Sequence, residues 1–256
     1  MTIIKYTPVS VVMATYNGLP YIAEQLQSII SQLMPEDELI IVDDGSRDGT
    51  IELINKLKSP RVQVVLNPKN VGVLATFECG LRLCSKEIVF LCDQDDVWED
   101  GKRDAFVEAF ELDPSLLVVV SDAAIIDSKG AVVVSSFMAW RGGFQGGFWA
   151  TIFRNRYIGC AMAIRRSLLV AALPIPRSVP MHDMWFGALA SAIGRVRYIA
   201  KPFTLYRRHE NNVSPVHSQG WMMIFFWRAK LLLLLVIRLF FYKVGRHVSP
   251  VVVNES

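Results

Sequence analysis

The sequence has no Cys-x-x-Cys pair and no cysteine or histidine spacing suited to zinc. Its four cysteines, Cys79, Cys84, Cys92 and Cys160, read as reduced thiols of a cytosolic protein. No GxGxxG follows the first strand, and neither GxxxxGKS nor GxxxxGKT occurs anywhere. Dinucleotide dehydrogenase and P-loop readings therefore lack support. There is no internal repeat and no low-complexity segment. Residues 1–8 carry no apolar run, so no signal peptide is expected. The body also lacks a basic excess. Residues 221–256 hold five basic residues against Glu255 alone, which is more than the whole net charge of +3. Residues 1–220 are left at −1. A nucleic-acid binder would place a basic stripe on its folded body, so no nucleic-acid partner is expected.

What is present is apolar and periodic. Hydrophobic residues make up 52% of 256 positions, enough for one large domain or two fused lobes. Short β-branched runs at 9–14, 38–42, 62–66 and 88–92 alternate with helical patterns at 21–33, 50–57 and 71–83. This alternation predicts parallel βαβ units, a Rossmann-like sheet with helices on its faces. Ligands of such sheets bind beyond the carboxyl ends of the strands, where the polar clusters of this chain lie. After residue 111 the pattern loosens. Strands are expected at 116–120, 123–126, 131–134, 158–164 and 203–207, helices at 166–171 and 183–193, and loops at 140–149 and 174–180.

Three of those clusters suggest chemistry. Asp93-Gln94-Asp95-Asp96 places three carboxylates within four residues at a strand end. Like charges so close are costly without a cation, and hard oxygen ligands suit Mg²⁺ or Mn²⁺ bridging to phosphates. A solvated acidic turn is the plain alternative. Asp43-Asp44-Gly45-Ser46 ends the second strand. A carboxylate there can accept hydrogen bonds from a nucleoside, or a residue of the cluster can cap the next helix. Thr15-Tyr16-Asn17-Gly18 ends the first strand.

Together with residues 9–14, Asn70-Val71-Gly72 and Val97-Trp98, these motifs resemble the family 2 glycosyltransferases in order and spacing across residues 8–110. His182-Asp183-Met184-Trp185 and the run from Tyr206 to Ser214 resemble a bacterial rhamnosyltransferase-like subgroup. The resemblance implies a GT-A type α/β fold. It also implies roles. Thr15, Tyr16 and Asn17 line the nucleotide cleft, and Asp44 meets the base. Asp93 and Asp95 are the DxD-type carboxylates, with Asp95 the more direct ligand of Mg²⁺ or Mn²⁺. Asp183 is the catalytic base. His209 lies with the metal and the diphosphate, and Arg207 beside the diphosphate. The sequence departs from the family where Asp100-Gly101 stands in place of a frequent proline, which affects only how the next helix starts.

Asp183 also reads as a helix cap, and the resemblance tips it toward the base, with its carboxylate beside Trp185 at the cleft mouth. His182 taken alone reads as a surface histidine. The loop Gly142-Gly143-Phe144-Gln145-Gly146-Gly147 reads as an acceptor-side lid or a connector. Residues 221–242 have the length of a membrane span, but three cations interrupt them. At helical spacing Arg228, Lys230, Arg238 and Lys243 share one broad side. That favours a helix lying in a membrane interface, basic side toward anionic headgroups, over one packed on the domain or on a second copy.

The expected division is a nucleotide-sugar-binding half at 1–105, an acceptor-binding and catalytic half at 106–214, and a basic apolar tail at 215–256. The expected activity is inverting, metal-dependent transfer from a nucleoside-diphosphate sugar to a hydroxyl of a lipid-linked surface glycan, at the inner face of the cell membrane. Two rivals remain: a nucleotidyltransferase, although residues 14–18 carry no Lys or Arg, and a catalytically silent membrane-bound scaffold.

Overall fold

A computed structural model describes residues 6–210 and 221–243, with side chains from residue 226 onward in the second segment. The chain opens as β1 (Val9–Thr15), α1 (Ile22–Ile30), β2 (Glu38–Asp43), α2 (Thr50–Asn55), β3 (Val62–Leu66), α3 (Val73–Leu83) and β4 (Ile88–Asp93). It continues with β5 (Val97–Trp98), α4 (Lys102–Leu112), β6 (Leu116–Ile126), β7 (Val132–Val134), α5 (Phe137–Trp140) and α6 (Phe148–Phe153). A 3-10 turn (Gly159–Ala161), β8 (Met162–Arg165), α7 (Leu168–Ala172), α8 (His182–Ile193), β9 (Arg195–Arg207) and α9 (Trp221–Lys243) complete it.

Among the described residues nine strands join one sheet in the order β3-β2-β1-β4-β8-β6-β9-β5, with β7 beside β6. β1, β2, β3 and β4 pair in parallel. β8 enters antiparallel to both β4 and β6, so β6 and its parallel neighbour β9 run with the first four. The expected mainly parallel sheet is therefore what forms.

β1 is buried on both faces. Val12 faces a core shared with α3, α7, α8 and α9. Val9, Val11 and Met13 face a second core built with α1 and α4. Near-continuous apolar runs are the expected signature of strands covered on both sides. Gly80 lets α3 lie directly on β1: a Cβ there would meet Val12 Cγ1 at 2.5 Å.

The structure departs from the sequence-based expectation in several places. β6 runs unbroken where two strands were expected, because the polar pair Ser121-Asp122 is satisfied in place, the Asp122 carboxylate by Ala123 N–H within the strand and by Ser136 and Met138 outside it. Ser121 Oγ donates to the Asp122 carbonyl at 2.8 Å, while the β9 register slips at that point. β9 spans 13 residues rather than five. Arg195 and Arg197 alternate with Val196 and Tyr198, so half of its pattern reads as polar. The strand expected at 158–164 begins as a 3-10 turn and is extended only from Met162. The helix expected after Asp100-Gly101 forms as α4, and it opens with two charges at core positions, Lys102 and Arg103, both buried. The loop expected at 140–149 is bracketed by α5 and α6, leaving 141–147 between them.

α9 forms where the sequence predicted a helix, but it rests on the domain. Leu231 and Leu235 are buried in the α3-side core. Arg238 turns inward too, correcting the expected basic side. It donates to the carbonyls of Ala171 (3.1 Å), Leu173 (2.8 Å) and Pro174 (2.8 Å), with its guanidinium 5.4 Å from the Trp185 ring centre. Among the described residues no helix is long and apolar enough to cross a membrane. The expectations for residues 211–220 and 244–256, including Asn211 to Ser214, lie outside the described residues.

Candidate active site

The site gathers at the carboxyl ends of β1, β2 and β4. Past β1 the chain turns at Asn17, whose φ of 50° is the left-handed conformation that asparagine tolerates. The Asn17 side-chain Oδ1 accepts from Arg47 N–H at 2.9 Å, and the Asn17 backbone N–H donates to Ser46 Oγ at 2.8 Å. Tyr16 lines an open cavity of about 480 Å³ with Gly45, Ser46, Arg47, Pro68, Lys69 and Asn70. Thr15 is buried, and its hydroxyl donates to Gln94 at 2.6 Å. Gln94 also bridges the backbone N–H and carbonyl of Tyr16. A side chain at Gly18 would collide with Gln94, its Cβ 2.3 Å from Oε1. Gln94, the middle residue of the acidic motif, thus ties that motif to the β1 turn. Its residue type and position give no sign of this role in the sequence.

The two aspartates after β2 divide the work. Asp43 accepts from the backbone N–H of Gly45 and Ser46 and from the Ser46 hydroxyl, closing the turn on itself. Asp44 is buried and accepts from Asn67 Nδ2 (2.9 Å), Val71 N–H (2.9 Å) and Gly72 N–H (2.8 Å). Its carboxylate therefore fixes the 67–72 loop that forms one wall of the first cavity.

The acidic turn after β4 is closely packed. Burial first, then the charges of Asp96, Asp95 and Asp183, push the Asp93 carboxyl well above the usual carboxylate range. Asp96 is fully buried and pushed up to about 7, by burial and then by Asp95. Its Oδ1 accepts from Arg207 N–H at 2.9 Å, and its Oδ2 has no hydrogen-bond partner. Lys102, a second residue not anticipated, supplies a cation. It is fully buried, donates to the Cys160 carbonyl (2.7 Å) and Thr204 Oγ1 (2.9 Å), and lies 4.4 Å from the Trp98 ring centre. Burial lowers its ammonium to about 8. Nothing local marks it in the sequence, because a lysine at a helix position reads as surface.

Two donor sets could hold a cation here. Asp93, Asp96 and Cys160 bring ligand atoms within 4.8 Å of one another. Burial holds the Cys160 thiol well above its ordinary range, and a protonated thiol is a poor ligand for hard cations. In the other set His209 Nε2 stands 2.7 Å from Asp95 Oδ2, with its ring stacked on Tyr21 at 4.9 Å.

Arg207, expected beside the diphosphate, is buried and works from behind. Its guanidinium donates to the Asp95 carbonyl (2.8 Å), Glu24 (2.6 Å) and the Asp127 carbonyl (3.3 Å).

Asp183 lies in the first turn of α8, after Met181 at the N-cap. Its Oδ1 accepts from Met184 N–H (2.5 Å) and Asn155 Nδ2 (3.3 Å). Burial raises its carboxyl to about 6, against the lowering effect of those donors and of Arg141. It lines a second cavity of about 390 Å³ together with Asp93, Trp140, Arg141, Tyr206 and Arg208. Two expectations are corrected here. Trp185 is not at the cleft mouth. It is fully buried in the core, and its indole N–H donates to the Ala172 carbonyl at 2.9 Å. His182 is not a surface residue. It is buried against Phe77, burial lowers it to about 4, and neither ring nitrogen has a partner.

The profile of Glycosyl transferase family 2 matches residues 10–171 of this chain. The chain belongs to that family. An uncharacterized glycosyltransferase of Haemophilus influenzae is 26% identical over 224 residues, covering 82% of this chain and 68% of that protein. A shorter match, 33% identical over 94 residues, covers 37% of this chain and 38% of an Escherichia coli protein. That protein is the UDP-Glc:alpha-D-GlcNAc-diphosphoundecaprenol beta-1,3-glucosyltransferase WfaP. Among solved structures, residues 1–349 of Staphylococcus aureus TarS in complex with UDP-GlcNAc superpose with a TM-score of 0.69. The identity is 19%, over 90% of this chain and 66% of that one. The Pyrobaculum calidifontis mannosyltransferase PcManGT with GDP-Man and Mn²⁺ gives a TM-score of 0.63 at 22% identity, over 94% and 65%. These likenesses identify the fold as that of GT-A glycosyltransferases. The matches span from 38% to 68% of the length of these relatives, and 39% of a Nostoc glycosyltransferase that the chain matches at 28% identity.

Proposed function

We propose that this glycosyltransferase domain moves a sugar from a nucleoside-diphosphate donor to an acceptor hydroxyl with inversion at the anomeric carbon. One observation carries the reading: Asp93 and Asp183 line a single cavity, next to the turn where Asp95 meets His209. A proton acceptor and the leaving-group end of a donor thereby share one space.

The nucleoside would occupy the first cavity, between Tyr16 and the loop that Asp44 fixes. Asp95 and His209, with Asp93, would hold Mg²⁺ or Mn²⁺. When bound, the cation neutralises charge on the leaving diphosphate. Asp183, ionised above about pH 6, takes the proton of the acceptor hydroxyl as its oxygen attacks the anomeric carbon. The oxygen–carbon bond forms as the bond from that carbon to the diphosphate oxygen breaks on the opposite face. A single displacement of this kind inverts the centre. Gln94 and Arg207 hold the acidic turn in place, and Lys102 balances its buried charge.

The Asp183 and His209 motifs resemble the rhamnosyltransferase-like subgroup, which favours rhamnose among the sugars carried. WfaP acts on a diphosphoundecaprenol-linked sugar, and a lipid-linked surface glycan is the acceptor proposed here. α9 supports a place on the inner membrane surface. Phe226, Trp227, Leu233, Val236, Ile237 and Phe240 are exposed on it, while Leu231 and Leu235 fasten it to the domain. Covering of that face by a second copy is the competing outcome of a vesicle-binding test.

Thermal shift with a panel of nucleotide sugars, with and without Mn²⁺, tests the reading. A donor at 100 times its dissociation constant adds about 2.7 kcal/mol of stability, and one donor class should do so only with the cation present. No stabilisation by any donor would contradict it.

A further inference from the structure

The second cavity holds cationic groups that the proton transfer does not use. Arg141 lines it, follows Trp140 and begins the glycine-rich segment. Its Nε is buried without a hydrogen-bond partner. Arg156, also buried, donates to the carbonyls of Arg141 and Gly143, the latter at 2.7 Å, and so fixes the backbone that carries Arg141. Asp122 anchors the same segment from β6, accepting from Met138 N–H (2.9 Å) and the Ser136 hydroxyl. Among the described residues no carboxylate lies within ion-pair distance of Arg141, Arg154 or Arg156. Burial, and then the charges of Arg154 and Arg156, hold the Arg141 guanidinium below the ordinary arginine range. A half-buried cation beside two like charges is costly unless an anion joins it.

In the reading above the donor's diphosphate meets the metal-side residues, of which Asp93 alone lines this cavity. The metal-side pair, Asp95 and His209, does not line this cavity, and Arg141 does not line the nucleoside cavity. Arg141 is among the groups that lower the Asp183 carboxyl. Arg141 therefore shares a cavity with the base and, in the reading above, with the acceptor.

We infer that Arg141 binds an anionic oxygen group, phosphate or carboxylate, carried by the acceptor close to the hydroxyl that reacts. The inference rests on the glycosyl-transfer reading above. A planar guanidinium on a braced loop suits bidentate pairing with either group, and the exposed indole of Trp140 offers a face for the adjoining ring. The anion has two possible sources: the diphosphate of an isoprenoid-linked acceptor, or an acidic sugar of the glycan itself.

Calorimetry on the full chain, saturated with Mn²⁺ and the nucleoside diphosphate that binds it, would test this with three probes: farnesyl diphosphate, glucuronic acid and neutral methyl glucoside. At least one charged probe should bind about tenfold or more tightly than methyl glucoside, the usual worth of a charged hydrogen-bonded pair. Arg141→Gln should remove that preference and leave nucleoside diphosphate affinity unchanged, and Arg141→Lys should keep part of it. Preference for farnesyl diphosphate assigns the isoprenoid source, and preference for glucuronic acid the acidic glycan. Equal binding of charged and neutral probes overturns the inference. So does an equal loss of nucleoside diphosphate affinity in Arg141→Gln, which would give Arg141 to the donor. A wild-type protein that binds no nucleoside diphosphate would instead remove the glycosyl-transfer reading itself.

Discussion

His209 Nε2 lies 2.7 Å from Asp95 Oδ2, across 114 residues of sequence. The contact joins the end of β9 to the turn after β4, the two places where phosphate chemistry would need a cation. Asp95→Ala and His209→Ala should each weaken Mn²⁺-dependent nucleoside diphosphate binding at least tenfold. The double variant should lose little more, because residues serving one ion do not act additively. Titration calorimetry with and without Mn²⁺ measures this. Additive losses would separate the two residues' roles.

Asp44 makes a prediction about the nucleotide wall. Its carboxylate accepts from Asn67, Val71 and Gly72, so Asp44→Ala strands three donors. The expected loss of stability is about 2–4 kcal/mol, with nucleoside affinity falling alongside. Denaturant unfolding gives the first quantity and calorimetry the second. Undiminished stability with lost affinity would assign Asp44 to direct base contact alone.

How much of this was legible in the sequence follows from where the determinants lie. β1, β2 and β4 are continuous apolar runs, and the polar turns after them stand out by contrast. The Asp93 motif and His209 could be paired only through the family resemblance, since no local rule links positions 114 residues apart. Arg207 carried a visible charge but no sign that it would face inward to Glu24 and the Asp95 carbonyl. His182 and Lys102 were hidden for the same reason: a polar residue at a core position looks like surface until its neighbours are known. β9 is only half legible because Arg195 and Arg197 break the apolar run of its first half.

The two sides of α9 should separate under mutation. Leu235 is fully buried, and Leu235→Ala should cost about 2–5 kcal/mol of stability. Leu233→Ser together with Ile237→Ser, on the exposed side, should leave thermal stability within a degree or two yet weaken sedimentation with anionic vesicles. Unchanged sedimentation in the double variant would contradict the membrane-surface proposal, and a simultaneous loss of self-association would assign the face to a second copy.

Asp183 also links activity to stability. Its carboxyl is raised to about 6 in the fold, against about 4 in an unfolded chain. Stability from this group is therefore present at low pH and lost as pH rises from about 4 through about 6. Asp183→Asn should thus be more stable than the wild type at pH 7.5, by about 1–3 kcal/mol, and no more stable at pH 4. Calorimetric melting at both values checks the sign.

The most direct measurement is the pH–rate profile of nucleoside diphosphate release from the stabilising donor in Mn²⁺. Water can take the acceptor's place, so the acceptor need not be known. The wild-type rate should climb tenfold per pH unit at low pH and level off above about 6, as Asp183 ionises. Asp183→Asn should bind donor normally, lose that limb and turn over about 10²–10⁴ times more slowly. A variant that keeps the wild-type rate and the same acidic limb would show that Asp183 is not the base.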